Sequence, residues 1–476
     1  MRARGTECRG GAAGGPPPRP RPDPVHLRAE VRERHGVRRD DPSRLPECWH
    51  RQPGRGARSL NRFDLSPARA LAFRGHPDRA KRRAVFPVYV ALAILTTSCC
   101  ISCSRPSWPS GKWRPYSDAS PFNTPLPANA PVVPNSPQIV RALLGDDGPN
   151  SLSKCTPSVV QNCKPNNMVA SPTHTYGGWP TYSSHKKDPL VTVQCSEICP
   201  LSGLQLHIPA GAAVQAGSPD RHLTVIDDYG GLASVAGHAG PPHEEYDFYQ
   251  VQEPNTPRAA GTIHVASEGT ARLDTSSGVS EQGNTTASGF ANLAGRIRAE
   301  ELAGGEIRHA LTITISCNNG SWVYPATASG NGSVCGADRG GPQTAPPIGA
   351  LFQLNVSPDT IQGWPILTWK KTILTAMSRY GMYFNDSGGA ENDYFSLQTE
   401  AQNQYSSLGL SDVWFDFAQR NSWSPGEESN LIGQLQDPDP ALGVLNSDYV
   451  KWWHDDVWSR LQVVSHCVLP GSPDHC

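Results

Sequence analysis

An excess of charge of either sign is missing from this chain of 476 residues: 42 Lys and Arg stand against 43 Asp and Glu, a net charge of −1. That balance argues against nucleic acid or an anionic membrane as a partner. Nucleotide-binding loops are missing as well. No Walker loop occurs and no Gly-x-Gly-x-x-Gly follows a strand pattern, so no nucleotide partner is expected, and nothing else in the chain calls for a cofactor. The absence of a Gly-x-Ser-x-Gly elbow removes one familiar hydrolase template. The apolar run at residues 84–95 is short for a membrane span. No internal repeat is evident. Charged residues are only 18% of the chain, whereas Gly and Pro number 45 each, a composition that favours strands and turns over long helices.

Three regions follow from composition. Residues 1–78 are crowded with Arg, Pro and Gly and are expected to be disordered, or to be an extension lying before the true translation start. Residues 79–104 read as a signal peptide: Arg79, Lys81, Arg82 and Arg83 form the basic region ahead of the apolar run. A lipid anchor is a weaker alternative, because Leu95 stands four residues before Cys99 where a lipobox needs three. Residues 105–476 read as one secreted β-rich domain with no linker inside it.

Eight cysteines fall in that domain: Cys155, Cys163, Cys195, Cys199, Cys317, Cys335, Cys467 and Cys476. An even number after an export signal predicts disulfides, with neighbours paired as 155–163, 195–199, 317–335 and 467–476. Zinc at Cys195 and Cys199 is the rival reading, but no second pair of matching spacing follows.

Alternation of apolar and polar residues predicts strands at residues 222–227, 245–250 and 270–274. Leu223 and Val225 share one face, with His222 and Thr224 on the other. Tyr246 and Phe248 face away from Glu245 and Asp247, and Arg272 shares a face with Asp274. The expected class is a β-sandwich or barrel with a few short packed α-helices, its sheet having one packed face and one working face. A further strand is expected at 347–356. The best amphipathic helix should begin at Pro365, a position proline tolerates. It would carry Ile366, Trp369, Ile373, Met377 and Tyr380 on its core face and Lys370 and Lys371 on the other, and stop at Gly381. Shorter helices are expected at 138–144 and after Ser411 as cap, and the tail reads as a strand closed by a disulfide.

Four segments together carry a resemblance: SPFNTPLPAN with PNSPQIV; DRHLTVIDD with YDFYQV; ASGFANLAGRIRAEELAGGEIRHAL; and PPIGALFQL with ILTAMSRYGMYFNDSGG. In this order they resemble a family of exported bacterial proteins common in actinobacteria, over roughly residues 115–420. The resemblance implies export and domain extent, not a chemistry. After Asp227 this chain inserts a Gly/Ala/His-rich loop where relatives have a tighter turn.

The leading candidate site is Asp220, His222, Asp247, Asp274 and His309. Carboxylates beside a histidine suit general acid–base work on a glycan, with His222 titrating near working pH. The structural alternative is that Asp220 fixes a turn, Asp274 pairs with Arg272 and His309 is a hydrogen-bonded core residue. His238, His243, Glu244 and Glu245 are a candidate metal cluster, and Asp386 a candidate calcium ligand. Trp179, Tyr182, Trp322 and Tyr324 could stack sugars or fill the core. The expected function is a carbohydrate-active hydrolase or lyase working on a polysaccharide or other cell-surface glycan. The alternative is a non-catalytic glycan-binding or structural cell-surface protein.

Overall fold

The computed structural model describes residues 109–144, 167–170, 178–215, 218–227, 244–252, 261–330, 334–337, 340–387, 395–401, 409–410, 413–421, 424–425, 431–434 and 456–473. The strands are β1 (Asn167–Ala170), β2 (Thr181–Ser183), β3 (Leu190–Ile198), β4 (Gln205–His207), β5 (Leu223–Asp227), β6 (Glu244–Tyr249), β7 (Gly261–Arg272) and β8 (Gln282–Gly283). They continue with β9 (Leu311–Ile315), β10 (Leu351–Leu354), β11 (Met382–Ser387), β12 (Phe395–Leu397), β13 (Ser424–Pro425), β14 (Leu431–Gln434) and β15 (Leu461–Val464). The helices are α1 (Ser136–Leu144), α2 (Ala299–Gly304), α3 (Pro358–Gly363), α4 (Thr368–Arg379) and α5 (Val413–Arg420). The domain is mostly β with a few short packed helices, as its alternation predicts.

The strands form two mixed sheets. The first runs β13-β14-β1-β12-β9-β11-β10-β15; the second runs β2-β5-β6-β7-β3-β4, with β8 on β7. In the second sheet β5 and β6 are antiparallel, pairing Leu223 with Phe248, Thr224 with Asp247 and Val225 with Tyr246. Directly opposed residues share a face, so the alternation read from each strand joins into two continuous surfaces. Leu223, Val225, Tyr246 and Phe248 pack with Val191, Val193 and Leu206 into one apolar cluster. Ile226, on the opposite face, belongs instead to the larger core that includes Leu311, Ile313, Phe352, Trp369, Ile373, Tyr383 and Phe384. Both faces of β5 and β6 are therefore covered, and the expected open working face is corrected.

Helix α4 begins later than Pro365 suggests. Trp364 precedes that proline and is extended (φ −70, ψ 143), the conformation a pre-proline residue prefers. The break separates α3 from a helix starting at Thr368. Trp369, Ile373 and Met377 are buried as expected, and Gly381, with φ 81, supplies the left-handed stop. Lys370 does not face solvent: it is fully buried, its ammonium 5.5 Å from the centre of the Trp369 ring. Lys371 caps the carbonyl of Gln362 at 2.8 Å.

Two of the expected disulfides are formed, Cys195–Cys199 and Cys317–Cys335, and Cys467 is disulfide-bonded. Cys155, Cys163 and Cys476 lie outside the described residues, as do residues 79–104 and Ser411. Among the described residues no helix is long and apolar enough to cross a membrane.

Candidate functional site

The polar face of β5 and β6 carries two groups of acids. The inner group is sealed. Glu245 and Asp247 have no solvent exposure. One Asp247 oxygen accepts from the Thr224 hydroxyl (2.8 Å) and the other from the Asn292 N–H (2.9 Å). The Tyr116 hydroxyl donates to Glu245 at 3.1–3.2 Å. Burial, followed by the charge of Asp247, pushes the Glu245 carboxyl well above its ordinary range; burial also raises Asp247. The two are hydrogen-bonded to each other, with Glu245 as donor. The Arg296 guanidinium lies beside them and near Glu400, anchored by the Trp179 carbonyl and the Thr181 hydroxyl, each at 3.0 Å. A protonated acid, a carboxylate and a buried cation form a charge-compensated layer between the sheet and the larger core.

The outer group reaches the surface at the other end of this face. Asp220, Tyr249 and Asp386 are each half-buried. Asp220 accepts from Ser218 (3.3 Å) and from the Tyr249 hydroxyl. Asp386 belongs to β11 of the other sheet; it feels the charge of Asp220, and its own charge is felt by Tyr249. Burial, then Asp220, raises the Asp386 carboxyl to about 7; burial raises Asp220 as well, opposed by its hydrogen bonds from Ser218 and Tyr249. Asp386 thus holds its proton to near neutrality beside a second, hydrogen-bonded carboxyl, an arrangement that suits a general acid with a carboxylate partner.

The backbone around these acids is unusual. Three described non-glycine residues have positive φ: Tyr116 (69), Arg221 (44) and Gln250 (50). Arg221 follows Asp220, Gln250 follows Tyr249, and Tyr116 binds Glu245. Left-handed non-glycine residues are uncommon and persist where surrounding structure holds them. Here the Gln250 N–H donates to the Asp220 carbonyl (2.7 Å) and the Arg221 Nε to the Val251 carbonyl (2.6 Å). These bonds join the strand ends carrying Asp220 and Tyr249.

His222 lies beneath the outer acids. Its ring stacks on Trp179 at 3.9 Å, 17° from parallel, and its centre is 5.4 Å from that of Tyr249. Burial, then the charge of Arg296, lowers its pKa to about 3, correcting the expectation that it titrates near working pH. Asp220 and His222 therefore do converge, both on Tyr249, but His222 does so as a neutral packed ring.

The remaining candidates are dispersed. Asp274 is exposed beyond the end of β7, where Arg272 binds Glu281 at 3.0–3.2 Å. His309 is a buried histidine bonded to the Ala310 carbonyl (2.8 Å) and to Glu301 (3.1 and 3.3 Å). Burial alone would raise Glu301, but Arg298 and then His309 outweigh it and hold that carboxyl below its usual range. Glu244 bonds Tyr246 and Thr270 on the face opposite Glu245, so these two do not converge on a metal; His238 and His243 lie outside the described residues. Asp386 accepts the Ser387 N–H at 2.7 Å, and the charge of Asp220 acts on it. Trp179 and Tyr182 are buried, the Tyr324 hydroxyl donates to the Pro470 carbonyl (2.5 Å), and Trp322 is 50% exposed.

Two acids had no signal as partners in the chain order. Asp386 stands on one sheet and Asp220 just before β5 of the other; the Asn-Asp-Ser-Gly-Gly sequence of residues 385–389 was the one available cue. Glu268 is fully buried and raised by burial to about 7, with the Leu201 N–H as a partner; in sequence it is one polar residue within a strand. No family model, no curated protein and no solved structure matches this chain.

Proposed function

We propose that this is a secreted carbohydrate-active enzyme, a hydrolase or lyase of an extracellular polysaccharide, belonging with the exported bacterial proteins its segments resemble. The supporting observation is a half-buried Asp220 that accepts from the Tyr249 hydroxyl, with the charge of Asp220 raising Asp386 and the charge of Asp386 raising Tyr249. Asp386 is the general acid that protonates the leaving oxygen, and Asp220 is the base or nucleophile. In a lyase, Tyr249 is the group beside the proton to be removed. The inner layer of Glu245, Asp247 and Arg296 holds the strands and does not touch substrate. The disulfides fit an oxidising, extracellular setting.

Purified protein should be screened against bacterial and plant polysaccharides, with reducing ends reporting hydrolysis and absorbance at 235 nm reporting elimination. Asp220→Asn and Asp386→Asn should each lower turnover by about 10²–10⁴-fold with the melting temperature little changed. Binding without turnover would favour the non-catalytic reading, which the exposed ring of Trp322 supports. Neither turnover nor binding would remove both.

A further inference from the structure

An open groove of about 480 Å³ lies where the chain leaves β10 and enters β15. Its volume falls within the ~300–1,000 Å³ range of small-ligand sites. Trp364 forms part of its wall, with Asn355, Ser357, Thr360, Asp456 and Arg460 around it. Trp364 is half-buried and packs against the larger core, whereas those five polar residues are exposed. Two further contacts fix the shape: the Asn355 N–H donates to the Arg460 carbonyl at 3.0 Å, and Ser357 caps α3 by accepting from the Thr360 N–H at 3.1 Å.

The groove is remote from the acid pair. Asp386 lies four residues beyond Met382; Phe352, the partner of Met382, stands three residues before Asn355, and the two strands are antiparallel. At ~3.3 Å per residue the two sites lie about 20 Å apart, at opposite ends of the same sheet.

The lining selects a chemistry by what it combines. One cation and one anion give no excess charge for a polyanion or a polycation. Exposed polar groups outnumber the apolar ones, which disfavours a lipid or an apolar peptide. A ring wall beside a guanidinium, a carboxylate, an amide and two hydroxyls suits a ligand with an apolar face and a rim of hydroxyl groups. A pyranose has both. We infer that this groove is a separate carbohydrate-binding site, holding a segment of a neutral polysaccharide chain about 20 Å from the acid pair. The inference deepens the glycan reading above and requires only that the protein meets glycans, not that it cleaves them.

The test is calorimetric titration of the full chain with neutral hexasaccharides of glucose, xylose, mannose and N-acetylglucosamine. Four proteins are compared: wild type, Arg460→Ala, Thr360→Arg and the double variant Asp220→Asn/Asp386→Asn. Arg460 and Thr360 are exposed, so both groove variants should melt as wild type does, and circular dichroism checks this. At least one hexasaccharide should bind wild type and the double variant alike, and at least tenfold more weakly to each groove variant. No binding by any of the four sugars would overturn the inference. So would binding untouched by both groove changes, or abolished only by the double variant, which would assign it to the acid pair. Groove-dependent binding without turnover would sink the enzymatic reading and leave the groove standing.

Discussion

His222 lies flat on Trp179 with Tyr249 beyond it, and its neutrality has a measurable consequence. Its folded pKa of about 3 is below the ordinary 6.5. The unfolded ring therefore takes up a proton below about pH 6.5 that the folded ring refuses until near pH 3, so this residue makes stability fall as the pH drops through that window. A His222→Phe variant keeps a flat ring in the stack and has nothing to protonate. Relative to wild type, its melting temperature should rise progressively between pH 7 and pH 4. A difference independent of pH would show that folding leaves the His222 pKa at its ordinary value. The reading of His222 from sequence placed it on the face away from Leu223 and Val225, as the structure does. It missed the covering layer, because alternation reports which side chains share a side and not what lies over them. Asp247 illustrates the same limit: its face was legible, but the Asn292 N–H and Arg296 that enclose it come from a distant segment.

Helix α4 was legible as an amphipathic stripe because Trp369, Ile373 and Met377 repeat at three- and four-residue spacing. Its start was not, since Pro365 is tolerated at a helix start yet also forces Trp364 out of helical conformation. Lys370 sits next to the stripe and is carried into the interior, where its ammonium approaches the Trp369 ring, a contact attractive when desolvated. Trp369→Ala should destabilise the fold by about 3–5 kcal/mol, the usual cost of truncating a buried aromatic. Chemical denaturation measures it, and a loss below about 1 kcal/mol would place Trp369 outside the core. The strand at residues 270–274 overran its real end at Arg272, leaving Asp274 exposed beyond it. Nothing local distinguishes the last paired residue of a strand from the first unpaired one.

Cysteine pairing joins the two sheets to the question of compartment. Cys195–Cys199 closes a short loop on β3, and Cys317–Cys335 closes the segment that follows β9. Residues 105–476, produced with an export signal, should show no free thiol when titrated under denaturing, non-reducing conditions. Two or more free thiols would contradict the disulfide framework. The mostly β class was legible because period-two alternation and abundant Gly and Pro are local properties. The order of the fifteen strands among the described residues, in two mixed sheets, was not, since β9 pairs with both β11 and β12 across long stretches of chain. Asp386 stands on one sheet and Asp220 just before a strand of the other, and the charge effect between them is what turns two unremarkable carboxyls into a candidate site.

The charge of Asp220 acts on Asp386 across the two sheets. Carboxyl-carbon NMR of the protein labelled at aspartate, followed from pH 4 to pH 9, reads it directly, with Asp386→Asn assigning the resonance. In wild type the Asp386 carboxyl should titrate near 7, because burial and the neighbouring Asp220 both oppose its ionisation. In Asp220→Asn the neighbouring charge is gone, and the midpoint should move down while burial still holds it above an ordinary carboxylate. An Asp386 midpoint near 4 in wild type, or one unmoved by Asp220→Asn, would contradict the pairing and with it the catalytic reading.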